Sequence, residues 1–181
     1  MTLLEMKKKV LQLIEEVGTG DNLTDDPDIE LKLNTVINQV QNELSRMKKI
    51  PAYKEIEVNT NELIRFEDID DSVYQIETVR GIEHEMKANG TIIKCLESGT
   101  VEIDYFKYPE TITETNAKMY EFELSNDALE IMPYGVAADL LKSDVSSGYG
   151  QIYAQRYETM LQRLDPRYNM SSVYIDGGIE V

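Results

Sequence analysis

The sequence predicts a mainly helical α+β fold: a helical bundle of two helical hairpins, an inserted small antiparallel β-sheet and an extended C-terminal arm. Three observations predict it. Apolar residues recur at spacings of three and four near both ends of the chain. Between residues 53 and 108 the period falls to two. After Pro166 neither period continues. The expected organisation is one domain over 1–167, with 53–108 as its β-rich insert, and an arm over 168–181. A chain of 181 residues has room for one such domain with a real core.

Leu3, Met6, Val10, Leu13, Ile14 and Val17 lie on one helical face, so residues 2–17 are expected to form an amphipathic helix that Gly18-Thr19-Gly20 stops. Asp26-Pro27 opens a second helix, with aspartate as cap and proline at the first helical position. Ile29, Leu33, Val36, Ile37, Val40, Leu44 and Met47 line its face, and Ile50-Pro51 breaks it. From Tyr53 onward Ile56 and Val58 alternate with Glu55 and Glu57. Leu63 to Phe66 reads as a short strand, and Tyr74, Ile76 and Thr78 alternate. Asn89-Gly90 marks a hairpin between 82–87 and 91–96. Val101, Ile103 and Tyr105 then alternate with Glu102, Asp104 and Phe106. Residues 111–123 read as a polar connection.

The stretch from Ser125 to Arg167 is the most strongly patterned. Ser125 is a candidate cap. Leu129, Met132, Val136, Leu140 and Leu141 form one apolar face, and Pro133 is expected to bend the helix or mark a short first turn. Gly135 and Ala137 leave room for another element to come close. The 146–150 segment, Ser-Ser-Gly-Tyr-Gly, is the turn, and a last helix carries Ile152, Tyr153, Tyr157, Met160, Leu161 and Leu164 until Asp165-Pro166 ends it. The tail beyond reads either as a frayed terminus or as an arm that pairs with a neighbouring chain by strand addition.

The formal net charge is −16. Residues 51–124 carry most of the excess, with 17 acids against 7 bases. This argues against binding nucleic acid through a basic patch and against attachment to an anionic membrane surface. One cysteine, Cys95, allows no intrachain disulfide. The charged opening, with Lys7-Lys8-Lys9 and Glu15-Glu16, predicts no signal peptide and a cytosolic place of synthesis.

Reactive groups are sparse. His84 is the only histidine and reads as a strand residue. Cys95 has no sequence-local histidine or helix start to lower its pKa and reads as an inert buried thiol. The pair cannot build a structural zinc site. Gly148-Tyr149-Gly150 lacks the third glycine and the preceding strand of a dinucleotide fingerprint. The acidic runs Asp21–Glu30 and Glu67–Asp71 do not match a calcium loop and read as solvated. A glycosidase groove would want aromatic platforms, and there is no tryptophan. The expectation is no catalytic residue, no cofactor and no metal. The 11 tyrosines against 3 phenylalanines suit half-buried positions and interfaces.

Four features together resemble the head–tail connector proteins of tailed bacteriophages, also called adaptor or head-completion proteins. They are the helical hairpin at 2–49, the acidic β-rich insert, and two strings. The first is Val101-Glu102-Ile103-Asp104-Tyr105-Phe106-Lys107-Tyr108-Pro109, which leads into Ile112-Thr113. The second is Leu129-Glu130-Ile131-Met132-Pro133-Tyr134-Gly135-Val136-Ala137-Ala138-Asp139-Leu140-Leu141, which leads to Tyr157-Glu158 and Leu164-Asp165-Pro166-Arg167. The resemblance covers most of the chain. It implies a structural virion protein, made in the bacterial host cytoplasm, that docks as a twelve-fold ring under the portal protein. Such a ring extends the DNA channel, lets packaged DNA pass without specific binding, and offers a surface to the next neck or tail protein, a stopper. It involves no membrane and no enzymatic activity. Carried onto the tail, the resemblance points to Tyr168, Tyr174, Ile175 and Ile179 as a partner interface. Alternatives are another neck component (a stopper or tail-completion protein), a small acidic metal-dependent hydrolase working through the carboxylate clusters, and an acidic binding module.

Overall fold

Thr2 starts the first helix, α1 (Leu3–Leu13), through a reciprocal cap: its side chain accepts from the Glu5 amide, and the Glu5 carboxylate accepts from the Thr2 amide at 2.8 Å. The computed structural model describes residues 1–20, 22–143 and 148–164. α1 ends a turn before the expected glycines, because Glu15 adopts a left-handed conformation at φ 60° and closes the helix itself. Gly18 serves the loop instead. A Cβ there would stand 2.8 Å from the Asn22 carbonyl oxygen and the Thr24 amide nitrogen. The second helix, α2 (Pro27–Met47), begins where its cap predicts, with Asp26 Oδ1 accepting from the Asp28 and Ile29 amides.

Six strands follow: β1 (Ile50–Val58), β2 (Leu63–Arg65), β3 (Val73–Arg80), β4 (His84–Lys87), β5 (Ile92–Cys95) and β6 (Gly99–Lys107), with a single helical turn, α3 (Phe66–Ile69), between β2 and β3. They form two antiparallel sheets, ordered β1-β6-β3 and β2-β5-β4. Val101, Ile103 and Tyr105 of β6 share a core with Ile64, Ile93 and Cys95 of the second sheet, so the two sheets enclose apolar side chains of their own. Pro51 falls within β1, an edge strand, where its missing amide donor is tolerated. Two register shifts in β3 explain why the Tyr74–Ile76–Thr78 alternation is imperfect.

The last two helices are α4 (Asn126–Leu140) and α5 (Tyr149–Leu164). α4 runs unbroken through Pro133. It is buried over most of its circumference, at Ala128, Leu129, Ile131, Met132, Pro133, Gly135, Val136 and Ala137, because α1, α2 and α5 all pack on it. Ser125 occupies the cap position, but its hydroxyl bonds no helix amide; it engages the Asp127 carboxylate. Gly135 admits the Tyr157 ring of α5, as its lack of a side chain predicted.

The expected bundle of two helical hairpins with one inserted sheet is therefore corrected. α1 and α2 lie chiefly against α4, not against each other. The insert is a two-sheet unit with its own core. Local periodicity could not show this, since β1 pairs with β6 about forty to sixty residues away in sequence, from Ile50 opposite Lys107 to Val58 opposite Gly99. The fold is α+β.

The polar connection expected over 111–123 is also corrected. It reads as polar, yet Ile112, Tyr120, Phe122 and Leu124 are buried in the helical core. α2 straps it down. Asn38 exchanges two bonds with the Ile112 backbone, at 3.0 and 2.9 Å. The fully buried Gln41 donates to Asn38 Oδ1 and to the Glu110 carbonyl, and it accepts from the Tyr120 hydroxyl at 2.9 Å.

One joint ties the sheets to the helices. Arg46, near the end of α2, donates to the Tyr108 hydroxyl through Nε at 3.1 Å and Nη2 at 2.7 Å. The Tyr74 ring lies 4.7 Å from that of Tyr108, and its hydroxyl donates to the Ser45 carbonyl at 3.1 Å. Beside it the Lys49 ammonium sits 4.3 Å over the Phe106 ring and donates to Gln75, and Lys107 pairs with Glu123. The β unit is thus clamped to the scaffold.

Candidate interaction surface

Because β6 is the middle strand of its sheet, its alternation divides that sheet into two unlike faces. Val101, Ile103 and Tyr105 point into the shared core. Glu102 and Asp104 point out. Their cross-strand partners on β1 are Glu55 and Tyr53, and Glu57 lies opposite Thr100. On β3, Arg80 reaches across to Glu102 at 3.5 Å and to Asp104 at 2.8 Å. Thr100 donates to Glu57 at 2.8 Å, and Tyr53 donates to Glu55 at 2.6 Å.

The outward face thus gathers four carboxylates around one guanidinium. Glu55 and Glu102 stand directly opposite, an arrangement that costs stability on a sheet. Arg80 relieves Glu102 and Asp104 but not Glu55 or Glu57. Such a face repels a polyanion and attracts a partner that carries arginines or lysines.

The field of these carboxylates is visible on Tyr53. Its hydrogen bond to Glu55, followed by burial and the charge of Glu102, pushes its phenol up to about 12. Burial does the same to Tyr120, also to about 12, and raises Tyr157, whose hydroxyl donates to Glu43 at 3.1 Å. A phenol raised in the folded state contributes stability that is fully present below its unfolded value of about 10 and is lost as pH climbs through the folded value. We therefore expect stability to fall between pH 10 and about 12. Chemical unfolding followed over that interval checks it, and Tyr53→Phe should remove one late step from the phenolate absorbance titration.

The other groups singled out in the sequence have structural duties. Asp25 caps Thr19 through its amide and hydroxyl, at 3.1 and 3.0 Å. Asp68 accepts from the Arg65 amide at 2.8 Å. Asp70 accepts from the Ser72 amide at 2.8 Å and from its hydroxyl, which holds the Asp70 carboxyl below its ordinary range. Among the described residues no group of three or more histidine, cysteine or acidic side chains is placed to hold a metal ion. His84 and Cys95 stand directly opposite each other on β4 and β5, a proximity that sequence distance concealed. Even so, burial pushes the thiol up, and the negative charge of Glu62 adds to it. His84 Nδ1 engages the Ile82 carbonyl instead, at 3.0 Å.

Two clefts flank α4. One of about 310 Å³ lies between Lys9, Gln12 and Leu13 of α1 and Glu130, Pro133 and Tyr134. Another of about 350 Å³ lies between Ala138–Lys142 and the start of α5. Neither brings a nucleophile to a base. The tyrosine hydroxyls go largely to intrachain partners, such as Tyr153 to the Leu13 carbonyl and Tyr74 to Ser45.

Tyr168, Tyr174, Ile175 and Ile179, the residues expected at a partner interface, lie outside the described residues, as does the whole 168–181 arm. The sheet face was missed as a unit. Its halves were legible, since Glu55 and Glu57 alternate with Ile56 and Val58 just as Glu102 and Asp104 alternate with Ile103. Their union required the β1–β6 pairing.

No protein-family model matches the chain, and no curated protein matches its sequence. Among the described residues no helix is long and apolar enough to cross a membrane.

Proposed function

We propose that this chain is a structural virion protein, an adaptor subunit that docks as a ring under the portal of a tailed bacteriophage and joins it to the next neck protein. The observation that carries the reading is the outward face of the β1-β6-β3 sheet. The sheet that carries its four carboxylates is fixed to the helical scaffold by the Arg46–Tyr108–Tyr74 joint. The face is a built contact surface for a neighbouring subunit, and a channel made of chains of net charge −16 keeps DNA from sticking, because like charge removes the counterion-release gain that drives DNA binding. The resemblance supports the same reading. Its two strings fall on β6 and α4, the central strand of that sheet and the helix on which α1, α2 and α5 pack. The work of such a subunit is assembly: helices as scaffold, the β unit as a contact surface, and no chemistry of its own.

A second reading has an observation of its own. The two-sheet unit makes the chain richer in strand than a helical adaptor needs, which favours a stopper or tail-completion protein of the same neck. Co-sedimentation with the portal ring encoded beside it, followed by imaging, separates them. An adaptor binds the isolated portal and forms a ring on it. A stopper binds only portals that already carry an adaptor. Binding to neither, at high concentration and over several salt levels, would overturn both.

A further inference from the structure

One helix face runs against the charge of the chain. On α5, Ile152, Gln155, Arg156, Thr159, Met160 and Arg163 line a groove of about 460 Å³ that contains no acidic side chain. Ile152 is 58% exposed there. Arg156 lies 4.4 Å over the Tyr134 ring, which holds its guanidinium in place. Neither Arg156 nor Arg163 forms an ion pair among the described residues, although the chain has 34 acids for 18 bases. Arginine beside exposed apolar surface is the composition of an interface core, not of a solvated face.

The matching surface is already described. The outward sheet face holds Glu55, Glu57, Glu102 and Asp104 around Arg80, with Tyr53 half exposed among them at 49%. It lies on the β unit, whereas the groove lies on the helical unit. We infer that the α5 groove of one copy receives the outward β1-β6-β3 face of the next copy, Arg156 and Arg163 meeting the carboxylates that Arg80 leaves unpaired. The occupant is a second copy of this chain because the two faces complement each other in charge and are carried by one molecule. Two different faces make a head-to-tail contact, which repeats and closes into a ring when the rotation allows. The closed ring rests on the function proposed above; the pairwise contact does not. It also gives Glu55 a use for the charge that opposes Glu102 on its own sheet.

The test uses the full chain in three forms. The groove is reversed by Arg156→Glu with Arg163→Glu, the face by Glu55→Lys with Glu57→Lys, and a third chain carries all four changes. Sedimentation velocity is run at low salt up to about 1 mM, the weak end of specific association. The wild type should associate, and less so as salt rises. Each singly reversed chain should lose about tenfold or more of that association. The fourfold chain, and an equimolar mixture of the two single reversals, should recover it. All four sites are exposed, and thermal melting verifies each fold. If the groove variant does not fold, Gln155→Glu with Thr159→Glu cancels the groove charge at polar positions instead. A wild type monomeric throughout, or single reversals that associate as it does, or a fourfold chain without recovery, would overturn the contact. Rings on the portal without recovery would leave the proposed function standing and sink the contact. Recovery without portal binding would do the reverse.

Discussion

Gly135→Val should destabilise the protein by about 1–3 kcal/mol and lower its melting temperature by about 2–12 °C. The first side-chain atom at this position would stand 2.8 Å from the Tyr157 ring. The ring cannot easily retreat. It packs on the helical core, and its hydroxyl is tied to Glu43 on α2. The helix around Gly135 is equally fixed, because α4 is enclosed by α1, α2 and α5. Alanine at the same place meets the same first contact, but it gains about 1 kcal/mol of helix propensity over glycine, so its net effect is smaller. The cycle with Tyr157→Ala isolates the cause. If steric crowding is responsible, valine at 135 costs little once the ring is gone. A valine penalty unchanged by removal of Tyr157 would show that the close approach of α4 and α5 is not what Gly135 permits.

The second large effect lies at Tyr120. Its side chain is 4% exposed, meets Phe122 edge-on at 5.3 Å, and donates toward both Gln41 and the Glu110 carbonyl. Tyr120→Ala removes the ring and the bonds together and should cost about 3–5 kcal/mol. Tyr120→Phe keeps the ring. It leaves the Gln41 oxygen unsatisfied in a place with no water access, which should cost about 1–3 kcal/mol. Denaturant unfolding measures both. The contrast bears on the 109–124 segment: if its attachment depends on this network, Gln41→Leu combined with Tyr120→Phe should cost less than the sum of the two changes, because the polar partners then leave together. Additive losses would mean that the buried apolar side chains of the segment hold it without help.

Much of the local structure was legible because its causes are local. The Asp26-Pro27 start of α2, the Asn89-Gly90 turn between β4 and β5, and the room left by Gly135 each depend on residues a few positions apart. Where the reading went astray, the cause was distant. Glu15, with no glycine's freedom, ends α1 because the chain must turn there toward α2. Residues 111–123 read as a polar connection because polar residues outnumber apolar ones there, yet Asn38 and Gln41, some seventy positions earlier, bond the backbone at Glu110 and Ile112 and let the segment bury Ile112 and Tyr120.

The candidate surface divides in the same way. Alternation along β1 and β6 was enough to say that Glu55, Glu57, Glu102 and Asp104 face away from a core, because side chains of a strand point to opposite sides in turn. It could not say that they share one face, or that Arg80 neutralises only two of them, since pairing register is settled by the fit of whole apolar faces and not by any single strand. Helical spacing likewise identified α5 and its apolar residues. Only the packing of α4 decided which side of α5 stayed outside, and so left Arg156 and Arg163 facing outward on a chain of the opposite charge.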